Sequence, residues 1–235
     1  MHKNINEIKK LESDPQVIKK LFDKNEIKKF LDLYNELPTT VHNKKQNVIK
    51  KRWLKNYSDE LENLFCSKVK NEIGDFKMDN LKDEKNEDIL GLFQESYNPI
   101  GLHVDAGFNL SEIIFKQTLI PLSSKGSTVI FKNKFYGNST NFTIDENELK
   151  IKKLGYGQNI RSSAHLKMYE KKPFDKLLHE KYLKHENIDN LAGLEIDLVY
   201  EWEEGSMLIF DRTRLHCSSS IIDGKKIGLT TFTKK

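Results

Sequence analysis

The chain has 235 residues, 37% of them apolar and 10% aromatic, which supports a packed core and excludes a disordered chain. Its formal charge is +4, from 39 Lys and Arg against 35 Asp and Glu, too small to imply a nucleic-acid or membrane partner. No apolar run approaches the roughly 18 residues of a membrane span, the N-terminus lacks an apolar signal core, and Cys66 and Cys217 have no metal-motif spacing, so one soluble domain (1–235) in a reducing cytoplasm is expected.

Residues 5–37 read as helices. Ser13-Asp14-Pro15 resets the chain, with Asp14 as an N-cap and Pro15 at the first helical position, ahead of Val17, Ile18, Leu21 and Phe22. Residues 39–50 are polar. A second helical pattern runs from 49 to 73 through Trp53, Leu54, Leu61, Phe65 and Val69, with Gly74 as its stop. Residues 1–74 are therefore predicted to be support helices that buttress a sheet.

After Asp75 the pattern turns to strands, at 88–97, around 101–105, at 115–122 and at 127–131. Asn98-Pro99 marks a turn, and Pro121, which cannot donate to a ladder, belongs at a strand end or sheet edge. Residues 132–193 are the least patterned. They contain a short helical piece at 174–183 and read as an insertion that serves as a substrate lid. Strands resume at 194–202, 206–210, 215–222 and 225–233, with Asp223-Gly224 as a hairpin turn between the last two. The barrel strands thus fall in 88–131 and 194–235.

Gly101-Leu102-His103-Val104-Asp105 offers an imidazole and a carboxylate two residues apart, and on a strand residues i and i+2 share a face. His216 is a third candidate ligand on a predicted strand. Two His and one carboxylate around a metal, with open positions opposite, is the facial arrangement of non-haem Fe(II) sites. Softer candidates for the surrounding pocket are Tyr97, Gln94 and Gln117, the last a polar group in an apolar strand that needs a partner. Arg212, Arg214, Arg161 and Tyr156 are candidate substrate contacts, with surface ion pairs as the competing role for the arginines. Cys217, next to His216, should face the core.

These residues resemble the 2-oxoglutarate/Fe(II)-dependent oxygenase family. That family carries His-x-Asp, a distant His, and a basic residue about ten positions later in a Gly-x-Arg/Lys setting. This chain has His103-Val104-Asp105, His216 and Gly224-Lys225-Lys226. Gly205 to Phe210 and then His216 also match the family's Gly-x-x-x-x-Phe-x-x-x-x-x-His, and 119–130 resemble the strand–turn–strand of its prolyl-hydroxylase and phytanoyl-CoA-hydroxylase branches. The resemblance spans about residues 90–235.

It implies a mainly β, α+β fold: a double-stranded β-helix, the jelly-roll or cupin-like barrel, with N-terminal support helices. It implies Fe(II) held by His103, Asp105 and His216, with 2-oxoglutarate and O₂ as cosubstrates. It also implies hydroxylation or desaturation of a small-molecule or side-chain substrate. The carboxylate at Asp105 argues against halogenation, because halogenating members carry a small residue there. Lys226 is implied as the partner of the distal 2-oxoglutarate carboxylate, with Thr230 adding a hydroxyl. A two-residue hairpin loop would instead put Lys225 on the face of His216; a bulged three-residue loop would put Lys226, Gly228 and Thr230 there. The family pattern favours Lys226, and Lys225 is the fallback. The run 227–233 lacks the Arg-rich motif of the family's nucleic-acid demethylases. A cupin-like metal- or sugar-binding barrel without oxygenase activity is the alternative.

Overall fold

The computed structural model describes residues 1–44, 47–79, 81–82, 85–107, 109–137, 161, 165–166, 172–221 and 223–235. Two antiparallel sheets face each other. The larger combines β1 (Gln16–Ile18), β2 (Val41–Asn43), β3 (Val48–Leu54), β4 (Lys77–Met78), β5 (Leu81–Lys82), β6 (Asp88–Ser96), β7 (Ile114–Pro121), β10 (Met207–Asp211) and β12 (Lys226–Lys234). Its order is β1-β10-β7-β12-β6-β3-β2, with β4 beside β12 and β5 beside β6. The smaller sheet is β11-β8-β9, from β8 (Ser127–Lys134), β9 (Ile196–Glu201) and β11 (Arg214–Ser218). The chain passes from the large sheet to the small one at β7–β8 and then crosses at every step from β9 to β12, the connectivity of a double-stranded β-helix.

Three helices precede or interrupt the early strands: α1 (Ile5–Lys10), α2 (Lys24–Glu36) and α3 (Asp59–Ile73). α2 opens with a capping box in which the Asp23 carboxylate accepts from the Asn25 and Glu26 amides and the Glu26 carboxylate accepts from the Asp23 amide. α2 and α3 cover the outer face of the large sheet. Phe30, Trp53 and Phe65 meet there edge to face, with ring centroids 5.8–6.4 Å apart, a geometry that adds about 0.5–1.5 kcal/mol per pair to the area buried. A second core lies behind the small sheet, where Val129 and Phe131 pack on Phe174, Leu183 and Leu191. The third fills the barrel between the sheets with Leu119, Ile130, Tyr200, Trp202, Leu208 and Phe210.

Several sequence expectations need correction. Asp14-Pro15 does not start a helix: Gln16–Ile18 is an edge strand on β10, and the cap is Asp23. The apolar spacing at 49–54 belongs to β3, whose Trp53 faces α2 and α3 while Val48 and Lys50 face inward. A strand whose two faces both carry apolar residues mimics a helical spacing over six residues. The 1–74 region is thus helices plus three strands. The Asp223-Gly224 turn joins no hairpin either. β11 pairs with β8 and β12 pairs with β6 and β7, so residues 219–225 carry the chain from one sheet to the other.

The strand expected around 101–105 is an extended segment with a single bridge, the remaining barrel strands lie close to where expected, and Pro121 ends β7. The piece at 174–183 contains helix α4 (Lys176–Tyr182). Among the described residues of 132–193, none lines the cavity discussed below. Phe174, Leu183 and Leu191 brace the outer face of the small sheet instead. No described helix is long and apolar enough to cross a membrane.

Candidate metal centre

His103 and Asp105 do not sit on a named strand. They belong to an extended segment that joins the small sheet through one bridge, in which the His103 and His216 amides each donate to the other's carbonyl at 2.9 Å. Alternation still operates there. Leu102, Val104 and Ala106 are fully buried in the core behind the small sheet, so His103 and Asp105 turn the other way, into the barrel. The segment is held along its length. The Leu102 amide donates to Glu186 Oε1 (2.5 Å), Arg212 Nε donates to the Asp105 carbonyl (2.9 Å), and His2 Nε2 lies 2.8 Å from the Ala106 carbonyl.

The three side chains converge. His103, Asp105 and His216 present ligand atoms all within 4.8 Å of one another. Asp105 Oδ2 lies 3.4 Å from His216 Nε2 and 3.7 Å from His103 Nε2. Each imidazole uses Nδ1 locally: His103 on the Gly101 carbonyl at 2.7 Å and His216 on the Arg214 carbonyl at 3.0 Å. An Nδ1–H donated to a carbonyl fixes the tautomer that leaves the Nε2 lone pair free for a metal. Burial, with the neighbouring His216 ring and more distantly the Lys50 charge, pushes the His103 pKa down to about 4, so the ring is neutral at pH 7. Burial raises Asp105, but the two adjoining imidazoles and the hydrogen bond from Gln117 outweigh it and hold the carboxyl well below the usual range. Two imidazoles and one carboxylate, each oriented by a further hydrogen bond, fit a divalent first-row metal with open coordination positions.

The ligands open onto a cavity of about 600 Å³ between the sheets, lined also by Lys50, Gln94, Gln117, Trp202, Lys226, Gly228 and Thr230. Gln117 donates from Nε2 to Asp105 Oδ2 at 2.9 Å, so its partner is the candidate ligand carboxylate, while its Oε1 is buried with no partner among the described residues. Lys226 is buried, and its ammonium donates to Ser218 Oγ at 2.6 Å and lies 4.7 Å from the centre of the Trp202 ring. Burial pulls its pKa down to about 8. Lys226, Gly228 and Thr230 alternate along β12 onto the cavity face without any bulged hairpin, because β12 lies in the sheet opposite β11. Lys225 points outward, where it is exposed and pairs with Glu95 at 3.4 Å.

Four candidates fall elsewhere. Tyr97 lies beyond the end of β6, exposed, with its hydroxyl on Glu95 at 2.8 Å. Arg212 is buried against Asp79 (2.6 Å) and the Thr233 carbonyl (3.1 Å). Arg214 is buried and paired with Asp197 and the Ser13 carbonyl. Arg161 donates to Asn190, Ala192 and His165. Guanidinium groups bonded in this way to the protein itself have a structural role, and none of the three arginines lines the cavity. Tyr156 lies outside the described residues. Trp202, Ser218 and Lys50 are cavity residues that sequence reasoning passed over. Ser218 was accessible to it, since it is two positions from His216 on the same strand.

No family model matches the sequence, and no curated protein is similar to it. Solved structures do share its shape. An oxidoreductase of the 2OG-Fe(II) oxygenase family from Burkholderia pseudomallei superposes with a TM-score of 0.52 at 11% identity, over 94% of this chain and 85% of its own. HygX from Streptomyces hygroscopicus, solved with nickel and 2-oxoglutarate bound, superposes at 0.52 and 12% identity, over 100% and 87%. SnoN, a non-heme alpha-ketoglutarate-dependent epimerase from nogalamycin biosynthesis, superposes at 0.50 and 7% identity, over 99% and 84%. The chain therefore has the double-stranded β-helix fold of the 2-oxoglutarate/Fe(II) oxygenases.

Proposed function

We propose that this protein is an Fe(II)- and 2-oxoglutarate-dependent dioxygenase. It hydroxylates or desaturates a small-molecule or side-chain substrate while 2-oxoglutarate is converted to succinate and CO₂. The observation that carries this reading is one cavity holding both parts of the required chemistry. The small sheet and the segment bridged to it provide two imidazoles with free Nε2 atoms and an ionised carboxylate. The large sheet provides a buried ammonium whose hydrogen-bond partner is a neutral hydroxyl.

His103, Asp105 and His216 would hold the iron, which supplies oxygen activation when bound and keeps positions for 2-oxoglutarate and O₂. Gln117 holds Asp105 at the orientation in which Oδ2 faces both imidazoles. Lys226 takes the distal carboxylate of 2-oxoglutarate, a charge-assisted hydrogen bond in a dry site, and the Thr230 hydroxyl lies on the same strand face. Leu119, Trp202 and Phe210 exclude water around that pair. A metal- or sugar-binding barrel without turnover has no use for a buried lysine facing the ligand cavity.

The test is an anaerobic Fe(II) titration with and without 2-oxoglutarate, following the weak visible metal-to-ligand band of the chelate. A band that vanishes in His103→Ala and weakens in Lys226→Ala supports the reading. Folded wild-type protein that gives no band refutes it and returns the assignment to the binding barrel.

A further inference from the structure

Lys50 stands apart from the other lysines. Lys51, Lys68, Lys116, Lys134, Lys226 and Lys234 are all buried or half-buried, and each ammonium donates to an oxygen of the protein. Lys50 is half-buried on the inward face of β3, lines the cavity that holds the metal ligands, and has no acceptor among the described residues. A half-buried ammonium gives up part of its hydration, and that cost is normally offset by a hydrogen-bonded partner. Its surroundings are set by strand register. Gln94 of β6 is directly opposite, and Val48 and Leu92 lie on the same face at either side. The patch offers an ammonium and an amide flanked by two aliphatic side chains. Asp105, the acid of this cavity, is occupied by the imidazoles and Gln117.

We infer that Lys50, with Gln94 beside it, is the specificity-determining anchor for an anionic group on the substrate, a carboxylate or a phosphate monoester carried on an aliphatic skeleton. This deepens the proposed function and rests on it, because that reading commits Lys226 to the cosubstrate and leaves Lys50 as the cavity's second cation. The arrangement separates two anions within one cavity. Lys226 is on β12 with a hydroxyl partner, and Lys50 is two strands away across β6. A substrate tethered at β3 by its anion would lay its aliphatic part over Val48 and Leu92.

The test uses the full chain loaded with Ni(II) and saturated with 2-oxoglutarate, with binding followed by calorimetry. The probes are hexanoate, hexyl phosphate and, as the uncharged control, hexan-1-ol. At least one anion should bind about tenfold or more tightly than the alcohol, the factor expected for a hydrogen bond to a charged group, and the tighter of the two names the anion. Lys50→Gln, which keeps a polar side chain and removes the charge, should abolish that preference, and Lys50→Arg should retain it to within about threefold. The 2-oxoglutarate affinity should stay within about twofold in both variants. Anions that bind no better than hexan-1-ol, or a preference that survives Lys50→Gln, would overturn the inference while leaving the proposed function standing. A tenfold loss of 2-oxoglutarate affinity in Lys50→Gln would also overturn it, since Lys50 would then serve the cosubstrate. Wild-type protein that fails to bind 2-oxoglutarate would sink the proposed function instead, and the same probes titrated without it would then judge Lys50 alone.

Discussion

Removing the charge of Lys226 should cripple 2-oxoglutarate binding, and raising the pH should do the same to the wild type. The ammonium is buried, donates to Ser218 Oγ at 2.6 Å and faces the Trp202 ring, so a carboxylate that reaches it pairs with a charge already taken out of water. Truncating one partner of such a pair costs about 2–5 kcal/mol, or about 30-fold to several-thousand-fold in Kd. Lys226→Met is therefore expected to weaken 2-oxoglutarate by at least about 30-fold. Lys225→Met, at an exposed position paired with Glu95, should change it by less than about twofold. The pH dependence follows from the same burial. The folded-state pKa is about 8, below the ordinary lysine value, so the charged form dominates at pH 7 and is lost as the pH rises through 8. Kd should be flat from pH 6.5 to 7.5 and then climb about tenfold per pH unit above 8, and Lys226→Arg should flatten the climb because a guanidinium stays charged. Anaerobic calorimetric titration of the metal-loaded protein across this range reads all three. A Lys226→Met Kd within threefold of wild type, or a profile flat to pH 9.5, would refute the assignment of this lysine to the cosubstrate.

Gln117→Leu should lower metal affinity about 10- to 100-fold, because Asp105 loses the 2.9 Å hydrogen bond that orients it; competition against a chromophoric chelator measures this, and unchanged affinity would assign Gln117 a packing role only. Gly205 has φ +78°, and a Cβ there would sit 2.3 Å from the Phe22 carbonyl oxygen, so Gly205→Ala should destabilise by at least about 1–2 kcal/mol, visible as a Tm lowered by several degrees. Arg212→Met leaves the half-buried Asp79 with only the more distant Lys234 and frees the Asp105 carbonyl, so it should cost about 1–3 kcal/mol in urea unfolding; a variant of unchanged stability with weakened substrate binding would restore Arg212 as a substrate contact. Gly228→Val should displace the Trp202 ring, which lies 2.8 Å from where a Cβ would stand, and thereby weaken 2-oxoglutarate binding, an effect absent in Gly224→Ala, where nothing lies within 4 Å of the added carbon.

The candidate metal ligands were legible because they rest on local rules. His103 and Asp105 keep the i, i+2 relation even though their segment makes only one bridge, since burial of Leu102, Val104 and Ala106 enforces the alternation that a strand ladder would otherwise impose. The barrel strands were legible from alternation and turn residues for the same reason. What the sequence concealed depends on pairing at long range. The spacing of Ile49, Trp53 and Leu54 suits a helix as well as a strand, and only the ladder to β6 decides between them. Asp223-Gly224 looked like a hairpin turn because local chemistry cannot tell a turn within a sheet from a crossing between sheets. Lys226 rather than Lys225 faces the cavity, although the bulge invoked for it does not exist. Arg212 and Arg214 were misplaced for a related reason. Their acidic partners, Asp79 and Asp197, lie 133 and 17 residues away, and nothing local distinguishes a buried structural guanidinium from one that waits for a substrate.

Arg212 also helps explain how a segment with so little regular structure presents two candidate metal ligands. A loop that carries ligands must be held within a fraction of an ångström to be useful, and a single bridge to β11 does not supply that. The holding comes from polar groups on parts of the chain far from the site in sequence. Arg212 ties the Asp105 carbonyl to Asp79 and the end of β12. Glu186 takes the Leu102 amide, and His2 reaches the Ala106 carbonyl. Gly107, at φ +80°, lets the Arg212 guanidinium pass where a Cβ would stand 2.8 Å from Nη2. The site is thus built by subtraction as well as by placement. Side chains that could have bound a ligand are spent on fixing His103 and Asp105, and the cations left facing the cavity are Lys226, held by a neutral hydroxyl, and Lys50, held by nothing among the described residues.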